Sequence, residues 1–342
     1  MTDTLSIAIA QLNPIVGAIA DNVALIERYY ALAQQQGADL VVYPEMVLMG
    51  YPPEDMVLKP AFQSDARRAV KALAAKTSGN STAMIVGSAW MDDGQLRNCL
   101  FLLDDGEIKH IIGKHELPNY GVFDEARVFQ PAALHDPVEF RGVKLGLLIC
   151  EDMWLPRVSK HLVETGAEIL IAPNASPFEV EKQQLRKTHA LARVAETGLP
   201  LILINQVGGQ DELIFDGASF ALNNDGEVSA QLSSFKEQLA VTSWHKRNDA
   251  WSCRAEISEE PLGMLESVYS AMVLGLRDYV EKNKFPSVLI GLSGGVDSAL
   301  TAAVAVDALG AERVHCIMMP SQYTSRESLE DAAPVSYTHL RA

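Results

Sequence analysis

Residues 291–298 read Gly-Leu-Ser-Gly-Gly-Val-Asp-Ser and follow the apolar run Val288, Leu289, Ile290. Glycines let a backbone come close to an anion, and the hydroxyls of Ser293 and Ser298 can donate to phosphate oxygens with the first amides of a following helix. Asp297 can either hold a metal ion or orient the loop. The Gly-Lys-Ser/Thr ending of a P-loop is missing. A second group of residues upstream suits different chemistry. Cys150 ends the apolar run 143–149 and precedes Glu151, and a thiol at a strand end ahead of a helix is exposed and electrostatically tuned. Glu45 follows the run ending Tyr43-Pro44, and Lys114 follows Gly113 at the end of another. Singly, each has a plainer explanation: a lone cysteine in an apolar run usually fills space, and a charge at a strand end is usually solvated. Together they supply a base, a cation and a nucleophile at three strand ends.

The elements that must position these residues follow from hydrophobic period. A strand-like run covers 5–11. Leu25, Ile26, Tyr29, Leu32 and Ala33 share one face and predict a helix over 21–36, ended by Gly37. Residues 39–43 read as a buried strand, 64–78 as a helix, and 83–90, 98–103 and 107–112 as strands. The strand 143–149 runs into Cys150. A helix at 156–166, a strand at 169–172, a helix at 180–197 and a strand at 201–207 complete the region. Such a mixture suggests sheets stacked as a sandwich and covered by helices. Over 232–260 the pattern dissolves into polar, irregular sequence. This sets a first domain at 1–245 and a linker at 246–262.

From Leu265 a helical period returns through Val268, Tyr269, Met272, Leu276, Tyr279 and Val280. Strand 287–292, the glycine loop, helix 296–309 and strand 313–319 then make a βαβ beginning. The loop lies at the carboxyl end of its first strand, where doubly wound sheets bind ligands. Residues 263–333 form this second domain. A doubly wound domain needs well over about 80 residues to cover both faces of its sheet, so it is expected to be incomplete. Residues 334–342, opening at Pro334, read as a tail foreign to it. The fold class is α/β throughout.

Composition narrows the function classes. Lys plus Arg is 28 and Asp plus Glu 44 in 342 residues, a net charge of −16. Phosphate-backbone binding needs basic clusters and none is visible, which argues against nucleic acid as a general partner. Cysteines at 99, 150, 253 and 316 make no disulfide framework. No apolar run reaches membrane-spanning length, and the amino terminus lacks a secretory pattern. A cytoplasmic enzyme without membrane contact is the expectation.

The glycine loop is similar to the Ser-Gly-Gly-x-Asp-Ser phosphate loop that grips the pyrophosphate of ATP in adenylating enzymes. Glu45, Lys114 and Cys150, in that order and context, resemble the Glu-Lys-Cys triad of the nitrilase superfamily. The resemblance implies an αββα sandwich and amide hydrolysis. Glu45 would take the thiol proton and pass it to leaving ammonia, while Lys114 and the amide of Glu151 would stabilise the oxyanion. The two sites on one chain resemble the family of glutamine-dependent NAD synthetases, an amidase joined to an adenine nucleotide alpha hydrolase-like domain. Residues 117–125, 207–217 and 319–325 agree with that family. The resemblance implies glutamine, deamido-NAD, ATP and Mg²⁺ as reactants, no prosthetic group, and a homo-oligomer. It assigns Tyr120, Phe123, Glu151, Ser176 and Lys182 to a glutamine pocket and Glu125 to a supporting carboxylate. Plain packing for Tyr120 and Phe123, a turn for Ser176 and a solvated charge for Lys182 stay open as alternatives. Ser293, Gly294, Gly295, Val296, Asp297 and Ser298 would bind ATP, with Asp297 on magnesium. Ser321, Thr324 and Ser325 would lie near the nucleotide, and Asp216 would be turn structure. The competing expectation is an amidase without ligase activity.

Overall fold

The computed structural model describes residues 3–254, 257–320, 326, 330–332 and 334. Ser321, Thr324, Ser325 and nearly all of the expected tail lie outside them. The chain divides into two compact units, Met1–Val207 with Phe215–Pro261, and Gly208–Ile214 with Leu262–Ala342.

The first unit is built on two sheets. Strands β1 (Thr4–Gln11), β2 (Leu40–Val42), β3 (Ala83–Asp92), β4 (Gln95–Asp104) and β5 (Glu107–Gly113) lie side by side in the first. Strands β6 (Val138–Phe140), β7 (Val143–Leu147), β8 (Ile169–Asn174) and β9 (Leu201–Asn205) lie in the second. The chain then makes a hairpin, β10 (Val207–Gln210) and β11 (Leu213–Asp216). Next, β12 (Phe220–Leu222) and β13 (Val228–Gln231) return to the second sheet, and β14 (Gln238–Arg247) and β15 (Ala250–Cys253) to the first. The orders are β15-β14-β1-β2-β3-β4-β5 and β13-β12-β9-β8-β7-β6.

The strands read as near-continuous apolar runs because both of their faces are covered. Ile7, Ile9, Val42, Ile85, Leu100 and Leu102 of the first sheet share one core with Leu145, Leu147, Ile169, Ile171, Ile202 and Ile204 of the second. Helices α1 (Ile19–Gln35) and α2 (Pro60–Lys76) pack on the first sheet. One-turn helices α3 (Glu125–Val128) and α4 (Glu151–Trp154) occupy loops at strand ends. Helices α5 (Pro156–Glu164) and α6 (Lys182–Thr197) cover the second sheet through Val158, Leu162, Ala190 and Val194. The order of layers is helix, sheet, sheet, helix, the nitrilase-like sandwich.

The polar stretch 232–260 is not irregular. β14 pairs antiparallel with β1 over its whole length, from Thr4 opposite His245 to Gln11 opposite Gln238. The boundary expected at residue 245 therefore falls within a strand. Its inward face is Ala240, Thr242 and Trp244, so small, polar and large residues mask the usual apolar alternation. Thr242 is inside because its hydroxyl donates to Ile7 O at 2.8 Å and accepts from Trp244 Nε1 at 2.9 Å.

In the second unit, α7 (Met264–Lys282), β16 (Val288–Gly291), α8 (Val296–Leu309) and β17 (Val314–Ile317) form a βαβ unit, its strands parallel. Val280, Ala305, Leu309 and Val314 make its core. The hairpin tip packs on α7: Gly209 N–H donates to Asp278 Oδ2 at 2.6 Å, and Gly209 O accepts from Lys282 Nζ at 2.8 Å. Among the described residues no helix is long and apolar enough to cross a membrane.

Trp244 is fully buried between the sheets. Trp244→Ala should cost about 3–5 kcal/mol, read as a lowered urea midpoint at unchanged m. A midpoint like that of the wild type would place β14 outside the core.

Candidate active site

Three chain segments bring the triad together. β2 leads through Tyr43-Pro44 to Glu45, β5 into Lys114, and β7 through Leu148-Ile149 to Cys150. Glu45 and Lys114 have no solvent exposure, and Cys150 has 4%. The Lys114 ammonium donates to Glu45 Oε1 and to Glu125 Oε1, each at 2.7 Å. Asn98 Nδ2 donates to Glu45 Oε1 at 2.7 Å, and the Ala175 amide to Glu45 Oε2 at 3.0 Å. Tyr51 Oη donates to Glu125 Oε1 at 2.8 Å. The second oxygen of Glu125 is buried with no hydrogen-bond partner among the described residues.

The electrostatics follow from one cation between two carboxylates. Burial opposes the charge of Lys114, but Glu125 and Glu45 outweigh it and hold the ammonium well above its ordinary range. Burial pushes the Cys150 thiol up, Glu45 pushes it further, and Lys114 pulls it back. Burial also raises the carboxyl of Glu125 against the pull of Lys114. The resting thiol is therefore protonated near neutral pH, so a nucleophilic role for Cys150 would need a base.

Cys150 has φ +46°, a left-handed conformation uncommon for residues with a Cβ. Its N–H donates to Pro173 O at 3.0 Å. Two residues on, Asp152 is fully buried, and burial pushes its carboxyl up to about 7 despite three main-chain N–H donors.

The expected pocket residues fall in two groups. Tyr120 is half exposed, its hydroxyl donating to Glu151 Oε2 at 2.9 Å and its ring edge-on to Phe123 with centroids 5.5 Å apart. Burial raises the Glu151 carboxyl, while the Tyr120 hydrogen bond and the charges of Lys114 and Lys182 lower it. Lys182 is no solvated charge: it is buried, with Nζ 5.1 Å from the centre of the Trp154 ring. Ser176 is buried next to Ala175, its N–H donating to Asn205 Oδ1 at 2.9 Å and its carbonyl accepting from Arg186 at 3.1 Å. Asp216 is not a turn residue. It ends β11 and forms a buried ion pair with Arg186.

Asn98, Tyr51, Asp152 and Arg186 escaped the sequence reading. Asn98 did leave a signal, as it shares the inward face of β4 with Leu100 and Leu102. Tyr51 and Arg186 left none, because their partners are far away in sequence.

The glycine loop joins β16 to α8. Gly294 has φ +81°, and Gly295 caps the helix in extended conformation. Ser298 Oγ donates to Gly295 O at 2.9 Å and lies 3.1 Å from Ser293 Oγ. Val296 is 79% exposed and Ser293, Gly295 and Asp297 are exposed, while the Ser293 amide donates to Ser298 Oγ at 3.2 Å and the Gly295 amide to Ser293 Oγ at 3.3 Å. No group of three metal-ligating side chains exists among the described residues. A lone carboxylate suits Mg²⁺ when phosphate oxygens and water supply the other ligands.

Residues 6–246 match the carbon-nitrogen hydrolase family model. The chain belongs to the carbon-nitrogen hydrolase family. Residues 268–338 match the NAD synthase model. The chain is 46% identical over 336 residues to a glutamine-dependent NAD(+) synthetase of Rhodobacter capsulatus, covering 98% of this chain and 61% of that protein. The structure of glutamine-dependent NAD+ synthetase from Acinetobacter baumannii in complex with ADP is similar at TM-score 0.93 and 39% identity, covering 98% of this chain and 63% of that one. A Nesterenkonia amidase carrying acrylamide on its active-site cysteine is similar at TM-score 0.61 and 25% identity, covering 69% of this chain and 92% of that one. The chain thus spans about three fifths of the length of the synthetases it matches. Within this carbon-nitrogen hydrolase, the buried Glu45–Lys114–Glu125 cluster beside Cys150 can carry out acyl transfer from an amide.

Because Glu45 raises the Cys150 thiol and Lys114 lowers it, two variants should move its titration in opposite directions. The pH midpoint of Cys150 alkylation by iodoacetamide should fall in Glu45→Gln and rise in Lys114→Met. Shifts of the same sign in both would refute this electrostatic assignment.

Proposed function

We propose that this chain carries the glutamine-hydrolysing site and the ATP-phosphate loop of a glutamine-dependent NAD synthetase. The observation that carries the reading is the presence on one chain of both a buried Lys114 held by two carboxylates beside Cys150 and an outward-facing Ser-Gly-Gly-Val-Asp-Ser loop. Similarity to synthetases across nearly the whole chain supports it.

Cys150 Sγ attacks the side-chain amide carbon of glutamine as Glu45 accepts the thiol proton. Lys114 and the Glu151 amide donate to the oxyanion. Glu45 returns its proton to the departing ammonia, leaving a thioester, and then activates the water that releases glutamate. Glutamine also brings an α-ammonium and an α-carboxylate. Glu151 and Lys182 offer opposite charges for them, with Tyr120, Phe123 and Ser176 shaping the walls. At the second site Ser293, Gly294, Gly295, Val296 and Ser298 hold ATP phosphates through amides and hydroxyls. Asp297 would hold Mg²⁺, which supplies charge neutralisation on those phosphates. ATP activates the carboxylate of deamido-NAD as an adenylate with release of pyrophosphate, and ammonia displaces AMP to give NAD. A soluble cytoplasmic homo-oligomer goes with this reading.

The test is release of ammonia and glutamate from glutamine by the purified chain. Cys150→Ala should bring release to background, and Glu45→Gln should lower kcat by about 10²–10⁴. Release from simple amides with none from glutamine would make the chain an amidase of other specificity. For the loop, Gly294→Val should weaken ATP binding in calorimetry by about tenfold or more, because φ +81° strains a branched residue. Unchanged affinity would remove the loop from the ATP site.

A further inference from the structure

We propose that Asp152 is a positioning residue that fixes Cys150 and Lys114 relative to one another by clamping the main chain beside each. Its carboxylate has no solvent exposure. Oδ2 accepts the N–H of Ile149 at 3.0 Å, immediately before the nucleophile. Oδ1 accepts the N–H groups of His115 at 3.1 Å and Glu116 at 2.8 Å, the two residues directly after Lys114. An acid that only capped α4 would bond amides of its own turn. Two of these three bonds instead reach the chain leaving β5.

The backbone of Cys150 supplies the reason for such a clamp. At φ +46° it sits where a residue with a Cβ is strained. Strain of this kind persists only where the surroundings over-determine it. Pro173 O holds the Cys150 N–H at 3.0 Å, and Asp152 holds the amide before it. The same carboxylate sets how far this strained turn stands from the lysine segment. Asp152 thereby acts through the two segments rather than on the amide substrate.

The proposal rests on the triad reading and not on glutamine as the substrate. Asp152→Asn replaces one acceptor oxygen with an NH₂ that opposes a main-chain N–H while keeping size and shape. In the full chain kcat for glutamine should fall about 10- to 100-fold, with KM within about twofold. The rate of Cys150 alkylation by iodoacetamide, followed by mass spectrometry of its peptide, should change severalfold while the thermal midpoint stays close to that of the wild type. A kcat and an alkylation rate equal to those of the wild type would overturn the proposal. If the wild-type chain does not hydrolyse glutamine, the substrate is wrong, and alkylation alone decides on Asp152. If Asp152→Asn does not fold, hydrogen exchange in the wild type decides. Amides 115, 116 and 149 opening together support the clamp, and independent opening overturns it.

Discussion

The ammonium of Lys114, sealed from solvent between Glu45 and Glu125, is the constraint on which the first unit depends. A buried charge is costly unless it is paired and hydrogen-bonded, and here one cation faces two anions. The balance closes only with neutral donors around it. Asn98, Tyr51 and the Ala175 amide each give a proton to one of the carboxylates. These donors come from β4, from the segment after β2, and from the turn after β8. The sandwich must therefore bring the ends of strands from both sheets together before the cluster can be satisfied. Removing Lys114 would leave two buried carboxylates uncompensated, which makes the arrangement geometrically specific.

That specificity bears on the nucleophile. Burial, and then the neighbouring charges of Glu45 and Glu125, oppose a thiolate at Cys150 and push the thiol up against the pull of Lys114. In the proposed reaction the proton would leave sulfur for Glu45 only as the bond to substrate forms, where Lys114 would meet the developing charge. Preorganisation of this kind needs no dipole to turn during the reaction.

Much of this was legible in the sequence, and the failures have physical causes. Glu45 and Cys150 could be found because each follows a run whose apolar character is forced by burial, and Lys114 because it directly follows Gly113 at the end of the largely exposed strand β5. The glycine loop could be found because its backbone demands, φ +81° at Gly294 and a capped helix at Val296, restrict the residue types. β14 was illegible because its inward face contains Thr242, a polar residue satisfied by Ile7 O rather than by water. The solvated charge left open for Lys182 and the turn expected at Asp216 both rested on what such residues do on average. Tertiary partners, Trp154 for one and Arg186 for the other, overrode that average. Tyr51 and Arg186 matter only through partners distant in sequence, so no local pattern could mark them.

The two sites differ in what their chemistry asks of the chain. Amide cleavage at a thiol requires proton transfers among groups whose charges are set by burial, so its residues are side chains at strand ends inside a closed core. Holding a polyphosphate requires many weak donors spread over a flexible, highly charged ligand, so its residues are amides and hydroxyls on an exposed loop. The first site is fixed by a few strong electrostatic contacts and tolerates almost no substitution within them. The second is shaped by backbone conformation, with φ +81° at Gly294 and Gly295 extended ahead of α8. A carboxylate serves both, yet in opposite surroundings: Glu45 is fully enclosed, while Asp297 stands in solvent where a hydrated cation can reach it. On the proposed function the same residue class would be a proton carrier in one place and a metal ligand in the other, with solvent access deciding between them.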